Sequence, residues 1–342
     1  METELSASRL YSKVLGCLVG GLIGDAVGAP TEGLDYRQIE SRYGWLTDFS
    51  GDGTDDTVMK NLLAEALIRT DGYATLDDWA QVWLDRWDSI FGVKLPKFFY
   101  SVIHTAQKLR LHAVPRMAAL GNMPSSSSAM CISPVGLVNA GNPAQAALQA
   151  YNLAGLIHVH DVGFCQDGAA AMAAGVAEAL KPTATVTSIL GAAQAYLLKL
   201  SGYEMHERIT ALLALARAVG DYREFRAAVY AREAEFFCRI MCDSRETVPL
   251  SLAFFLLGEG DLERSVVSAA NFGRDADTTA SMVGALAGAW KGADGIRSDW
   301  VETALRVAST DPRELAQRLA ATALRKAHRE TSAWKIVQDL AA

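Results

Sequence analysis

Two stretches of this chain place glycine at every fourth residue, and they lie at opposite ends of the sequence. Gly16, Gly20 and Gly24 form the first set; Gly284, Gly288 and Gly292 form the second, with Ala285, Ala287 and Ala289 between them. Four-residue spacing puts each set on one face of a helix, and a face without side chains lets another backbone come close. In a bilayer such a stripe reads as a dimerisation face. Here Arg274, Asp275, Asp277 and Lys291 flank too short a span for that, so packing inside a core is the better account. The two smooth helices are therefore expected to pack on each other, which brings Asp25–Glu32 near Asp275–Thr278.

The rest of the pattern is helical as well. Apolar residues recur at helical spacing over Asp56–Arg69, Ala144–Ile157, Ala169–Leu180, Val186–Leu200, Glu207–Val219 and Arg223–Arg239. Strand signals are scarce, since no Asn-Gly or Asp-Gly turn joins alternating runs. Breakers such as Pro143, Pro182, Gly220-Asp221 and Gly258–Asp261 punctuate helices. Asp161–Asp167 reads as a loop, and Pro249 as the start of a helix over Leu250–Leu257. The aromatics Trp79, Trp83, Trp87, Phe98 and Phe99, with Tyr100 and His104, read as core, with stacking of one of them on a base the lesser alternative. With 342 residues, half of them hydrophobic, and no repeat or linker, the expectation is one compact, mostly α-helical domain over residues 1–342.

Composition narrows the partners. The net charge is −7 with no basic stripe, which argues against a nucleic acid partner. Five cysteines without framework spacing argue for a reducing, cytoplasmic setting. Cys238 and Cys242 would share a helix face, but two thiols do not make a zinc site. The apolar run Val14–Ile23 follows Glu2 and Glu4 as well as Arg9 and Lys13, ends at Asp25 and shows no clean leader or cleavage pattern, so it reads as a buried helix, with no membrane partner.

The chemistry lies in two aspartate-rich turns. One is Gly51-Asp52-Gly53-Thr54-Asp55-Asp56-Thr57; the other is Gly273-Arg274-Asp275-Ala276-Asp277-Thr278. Each runs into a helical pattern, so the plain reading is helix capping. Two or three acids per cap, twice, exceed what capping requires. Crowded carboxylates call for a cation, and hard oxygen donors suit Mg²⁺, Mn²⁺ or Ca²⁺. Pro30 and neighbouring glycines stop the first helix and leave Glu32 on a loop at the same end. If the loops meet, Thr54, Asp55, Asp56, Asp275, Asp277, Thr278 and Glu32 share one pocket with room for two divalent ions. Such a pair binds diol or phosphate oxygens and activates a water, for which Glu32 is a natural base.

These stretches, with Gly20-Gly21-Leu22-Ile23-Gly24-Asp25-Ala26-Val27-Gly28 before them and Gly284–Gly288 after, resemble the ADP-ribosylglycohydrolase family. The three motifs occur in the family's order over residues 16–292. The resemblance implies an all-α fold, a single compact orthogonal multi-helix domain, and two Mg²⁺ or Mn²⁺ ions. It also implies hydrolysis at C1″ of a protein-linked or small-molecule ADP-ribosyl group. Carried over, Thr54, Asp55, Asp56, Asp275, Asp277 and Thr278 are metal ligands, and Glu32 contacts the attacking water. Glu32 and Asp56 are the candidate catalytic carboxylates.

Two stretches depart from the family pattern. Where members carry Gly-Asn-Gly-(Ser/Ala)-Ala-Met-Arg, this chain has Ser125-Ser126-Ser127-Ser128-Ala129-Met130-Cys131, without asparagine or arginine. Where members read Thr-His-x-His-Pro, it has Ile157-His158-Val159-His160-Asp161. Ser126, Ser127, Ser128, His158 and His160 are the candidate substrate contacts. His158 and His160 have a structural reading beside that one, and Asp161 and Asp167 have one as helix caps. The altered serine segment leaves open a smaller ribosyl substrate, such as a nucleoside or nucleotide-type N-riboside. A non-catalytic, ligand-binding relative is a third reading. Arg245 and Glu246 read as a loop ion pair, with Arg245 as an anion contact the lesser alternative.

Overall fold

A computed structural model describes residues 5–341, and among them no strand forms; one isolated bridge joins Asp35 and Gly273. The helices that matter are α1 (Arg9–Gly28), α2 (Tyr36–Tyr43), α3 (Asp55–Arg69), α4 (Leu76–Asp85) and α5 (Tyr100–Arg110). They continue with α6 (Ser133–Val138), α7 (Pro143–Ala154), α8 (Phe164–Ala179), α9 (Val186–Ala195), α10 (Tyr203–Val219) and α11 (Tyr222–Ala231). The last are α12 (Ser244–Leu257), α13 (Leu262–Ala270), α14 (Ala276–Lys291), α15 (Ser298–Val307) and α16 (Pro312–Ala341).

The most extensive helix pairing is α1 against α14, as the glycine stripes require. A methyl on Gly20 would sit 2.4 Å from the Gly284 carbonyl oxygen, and one on Gly24 only 2.0 Å from that of Ala280. The backbones touch directly, Gly16 facing Gly288 and Gly28 facing Ala276, so the helices run antiparallel. α1 is long and apolar enough to cross a membrane, yet it is buried from Lys13 to Gly28 in the protein core. One hydrophobic cluster runs from Val14 to Ala320 and includes residues of both helices.

Several boundaries differ from the sequence reading, each for a local reason. α9 stops at Ala195, because the Leu198 N–H donates to the Asp167 carboxylate (2.9 Å) and bends the segment Val186–Leu200 was expected to continue. Arg223–Arg239 breaks at Arg232, where the chain turns to bury Phe236 and to give the Cys238 N–H to Glu246 (2.7 Å). α8 begins at Phe164, inside the expected loop, so Asp167 lies within its first turn and caps nothing. α12 begins at Ser244 under an Asp243 cap, with Pro249 in its interior, where the missing N–H costs one helical bond. Arg245 pairs with Asp243 and Glu204, and Glu246 with Arg274, so the two do not pair with each other. Cys238 and Cys242 sit in a non-helical loop. Tyr100 and His104 are exposed, whereas Trp79, Trp83 and Phe98 are buried. α16, whose outer half is exposed, has no counterpart among the segments read from periodicity.

Candidate functional site

The antiparallel α1–α14 pair sets the two acidic loops side by side. α1 ends at Gly28, and a short turn over Ala29–Thr31 delivers Glu32. Thr31 locks that turn by donating to the carbonyls of Gly28 (2.9 Å) and Ala270 (2.7 Å). Directly opposite, Asp275 precedes α14, whose first turn carries Asp277. The Asp275 loop is pinned to the Glu32 loop by two backbone bonds, Gly33 N–H to the Arg274 carbonyl and Arg274 N–H to that of Leu34, both 2.8 Å.

The third strip of the site is the start of α3. Thr54 caps it, its hydroxyl accepting the Asp56 N–H at 3.3 Å. Asp25, which sequence reasoning left out of the site, holds this turn in place. Its fully buried carboxylate accepts the Thr54 N–H (2.9 Å), the Thr57 N–H (3.0 Å) and the Thr57 hydroxyl (2.5 Å). Gly53 is required there twice over, because its φ is +85° and a Cβ would meet the Asp25 carboxylate at 2.4 Å. A signal existed, since Asp25 lies on the glycine-lined helix that leads to Glu32, but its role depends on Thr54, 29 residues away.

These strips line a cavity of about 530 Å³, whose walls include Glu32, Thr54, Asp55, Asp56, Asp275, Asp277 and Thr278. Carboxylate oxygens of Glu32, Asp275 and Asp277 lie within 4.8 Å of one another. The Thr278 hydroxyl donates to Asp56 (3.2 Å), and the Ser126 hydroxyl to Asp275 (3.1 Å). Among the described residues, Oδ1 of Asp56 and Oδ1 of Asp277 are buried without a hydrogen-bond donor.

Electrostatics follow from that crowding. Burial, then the Asp25 charge, pushes Asp55 up to about 7. Burial, then Glu32, does the same for Asp275. Asp56 and Asp277 are raised further by burial and then by neighbouring aspartates. Glu32 is exposed on its loop, but its carboxyl leans over the cavity, where lost hydration and the Asp25 charge raise it too. Lys60, buried under α1 and bonded to Ser281 (3.0 Å), supplies counter-charge to Asp25 and Asp56 from below. Orphaned oxygens, raised carboxyls and hydroxyl donors are the profile of a hard-cation site. These residues fit divalent metal.

The serine segment divides. Ser126 and Ser127 line the cavity, and the Ser126 N–H donates to the Cys242 carbonyl at 2.6 Å. Ser128 does not reach the wall. It is buried and bonded to Nδ1 of His158 (2.8 Å), while Ser125 takes Nε2 of the same ring (2.9 Å). His158 is thus a fully buried strut behind the serines, and burial lowers its pKa to about 3, keeping it neutral. His160 lies outside the cavity, exposed, with φ +63° and its ring beside Asp161. The serine-flanked cavity wall also takes Met130, Met241, Cys242, Phe99 and two cations, Lys94 and Lys97, none of them singled out from the sequence as a contact.

Comparisons with known proteins agree with this architecture. A family model described as ADP-ribosylglycohydrolase matches residues 6–331. The chain is similar to mouse ADP-ribosylhydrolase ARH3, at 23% identity covering 90% of this chain and 91% of that one. It is 23% identical to the ADP-ribosyl-[dinitrogen reductase] glycohydrolase of Rhodospirillum rubrum, with 87% and 92% coverage. It is 24% identical to the uncharacterized protein YegU of Escherichia coli K12, with 83% and 89% coverage. A solved structure titled ADP-ribosylglycohydrolase-related protein complex shares the fold, with a TM-score of 0.67 at 21% identity, covering 92% of this chain and 99% of that one.

Proposed function

The chain belongs to the ADP-ribosylglycohydrolase family, and from that premise we propose that it hydrolyses the glycosidic bond at C1″ of an ADP-ribosyl group. Relatives named as ADP-ribosylhydrolase and glycohydrolase place it among glycosidic-bond hydrolases. The observation that carries the reading is the convergence of three acidic strips on one cavity, with two buried carboxylate oxygens lacking any donor. Thr54, Asp55, Asp56, Asp275, Asp277 and Thr278 would hold two Mg²⁺ or Mn²⁺ ions. Bound there, such ions polarise a water and hold vicinal ribose hydroxyls.

The chain's own residues supply the rest. Glu32, with its raised carboxyl, accepts a proton from water at the cavity mouth. Asp56, on the same cavity wall, is the second candidate catalytic carboxylate, its Oδ2 fixed by Thr278 and its Oδ1 free for a ligand. Asp25 fixes the Thr54–Thr57 turn, and Ser126 orients Asp275, so the acids are placed before anything binds. Half-buried Phe99 and buried Phe98 flank the cavity and limit its water. All five cysteines are free, which fits a reducing cytoplasm.

A smaller ribosyl substrate is favoured by one observation. Of the Ser125–Cys131 segment only Ser126, Ser127 and Met130 reach the cavity, and no guanidinium does. Both readings are tested by calorimetric titration of Mn²⁺ and ADP-ribose, followed by assays on ADP-ribosyl-arginine, ADP-ribosyl-serine, O-acetyl-ADP-ribose and simple ribosides. We expect Mn²⁺ and ADP-ribose to bind and an ADP-ribosyl compound to be cleaved. Failure to bind either would sink the family-based reading, and turnover of ribosides alone would establish the smaller substrate.

A further inference from the structure

The cavity wall is acidic to a degree that raises a question about its substrate. Glu32, Asp52, Asp55, Asp56, Asp275 and Asp277 all line it, so even two bound divalent ions leave these six acids with negative charge in excess. A polyanionic substrate needs positive charge elsewhere. The cavity offers it in one place, at Lys94 and Lys97, the two cations that line it. Neither lysine has an ion pair or side-chain hydrogen bond among the described residues, although Lys94 is half-buried. By contrast, the arginines nearest to the acidic loops are already engaged, Arg274 with Glu246 and Arg245 with Asp243 and Glu204.

The segment that carries the lysines is anchored. Gly92–Lys94 and Leu95–Lys97 form two short helical turns between Phe91 and Phe98. Those rings stack at 5.1 Å, and Phe91 packs on in turn to Trp83 at 5.0 Å and through it to Trp79. Pro96 stiffens the step between the lysines. Two unpartnered ammonium groups therefore stand on a fixed base at the rim of an acidic cavity.

We infer that Lys94 and Lys97 bind the phosphate-bearing end of the substrate and make the cavity selective for phosphorylated ribosyl compounds over neutral ribosides. The inference rests on the glycohydrolase reading above for the scissile end, and on the lysines alone for the anionic end. Lysine suits this task as a mobile point charge that follows a flexible diphosphate.

The test uses full-length protein loaded with Mg²⁺, with K94A/K97A and K94R/K97R variants. Binding of ADP-ribose, inorganic pyrophosphate and ribose is measured at about 50 and about 300 mM salt, with the melting temperature as a folding control. For K94A/K97A we expect binding of ADP-ribose and pyrophosphate to weaken about tenfold, with a shallower salt dependence. Ribose binding and melting temperature should hold, and K94R/K97R should stay near wild type. Binding of both anions within twofold of wild type by K94A/K97A would overturn the inference. Lysine-dependent pyrophosphate binding without ADP-ribose binding would keep the lysine site while sinking the ADP-ribosyl reading. Wild-type protein that binds neither anion would overturn both.

Discussion

Two buried polar regions, one lining the cavity and one behind its wall, are satisfied in opposite ways. On one side Asp55, Asp56, Asp275 and Asp277 crowd together, with raised carboxyls and two orphaned oxygens. On the other, His158 is neutral, buried and bonded at both ring nitrogens by Ser125 and Ser128. The first region is strained by its own charges and gains from a ligand. The second is complete without one and contributes shape. Both are polar and buried, so burial alone does not separate a receiving surface from a supporting one; unmet hydrogen-bonding capacity does.

The sharpest way to break this contrast is to remove one acid. Asp277→Asn should cost on the order of 10³-fold in turnover and abolish stabilisation by added Mn²⁺. The metal-free variant should melt no lower than wild type, because one like charge has gone. A large drop in its melting temperature would show that Asp277 is structural, and the contrast would fail on its acidic side.

His158→Ala should behave the other way. It takes one hydrogen bond from each of two buried serine hydroxyls and opens a hole behind them, so it should cost about 2–4 kcal/mol in denaturant unfolding. Metal affinity should change much less than in Asp277→Asn. If stability is kept and ADP-ribose binding is lost, His158 belongs to the substrate side instead.

The smallest effects are in pH, and their signs differ. Asp275 rises from 3.8 to about 7 on folding, so the native state binds the extra proton between those values. Stability of the metal-free protein should therefore fall as pH rises through that window, by at most about 1.4 kcal/mol per unit for this group. His158 falls from 6.5 to about 3, so its contribution is present above 6.5 and is lost as pH drops below it. The two slopes oppose between about 4 and about 6.5. In urea unfolding Asp275→Asn should shift the profile toward the histidine slope, with Asp55, Asp56 and Asp277 still opposing it, and His158→Asn should leave the carboxylate slope alone. Saturating metal should flatten only the second. Identical pH profiles for the two variants would mean that the two regions are not electrostatically distinct.

How much of this was legible in the sequence tracks how local each signal is. The all-helical class, the α1–α14 pairing and the seven residues Glu32, Thr54–Asp56, Asp275, Asp277 and Thr278 sharing one cavity follow from periods and motifs confined to short windows. Ser126 and Ser127 reach that cavity as well. Ser128 and His158 do not line it, because they satisfy each other behind its wall, and that pairing spans 30 residues. Asp25 was hidden for the same reason, as were Lys94 and Lys97, which reach the cavity only because an aromatic stack holds their loop. Helix ends at Ala195 and Ala231 were missed because contacts with Asp167 and Glu246 fix the following chain, not the sequence at the break.

The seam between α1 and α14 reaches from Gly28 beside the acidic loops to Gly16 at its far end, about 18 Å away at helical rise. Along that length the two backbones meet with no side chain to compress or re-orient. Neither helix has freedom to slide, so the gap between Glu32 and Asp277 is set by the seam as a whole. A change in the size of ion or sugar this scaffold accepts must then come from groups hung on the frame, such as Ser126, Phe99 and the lysine rim. Drift at Gly16 or Gly288, remote from any ligand, would instead throw the chemistry out of register.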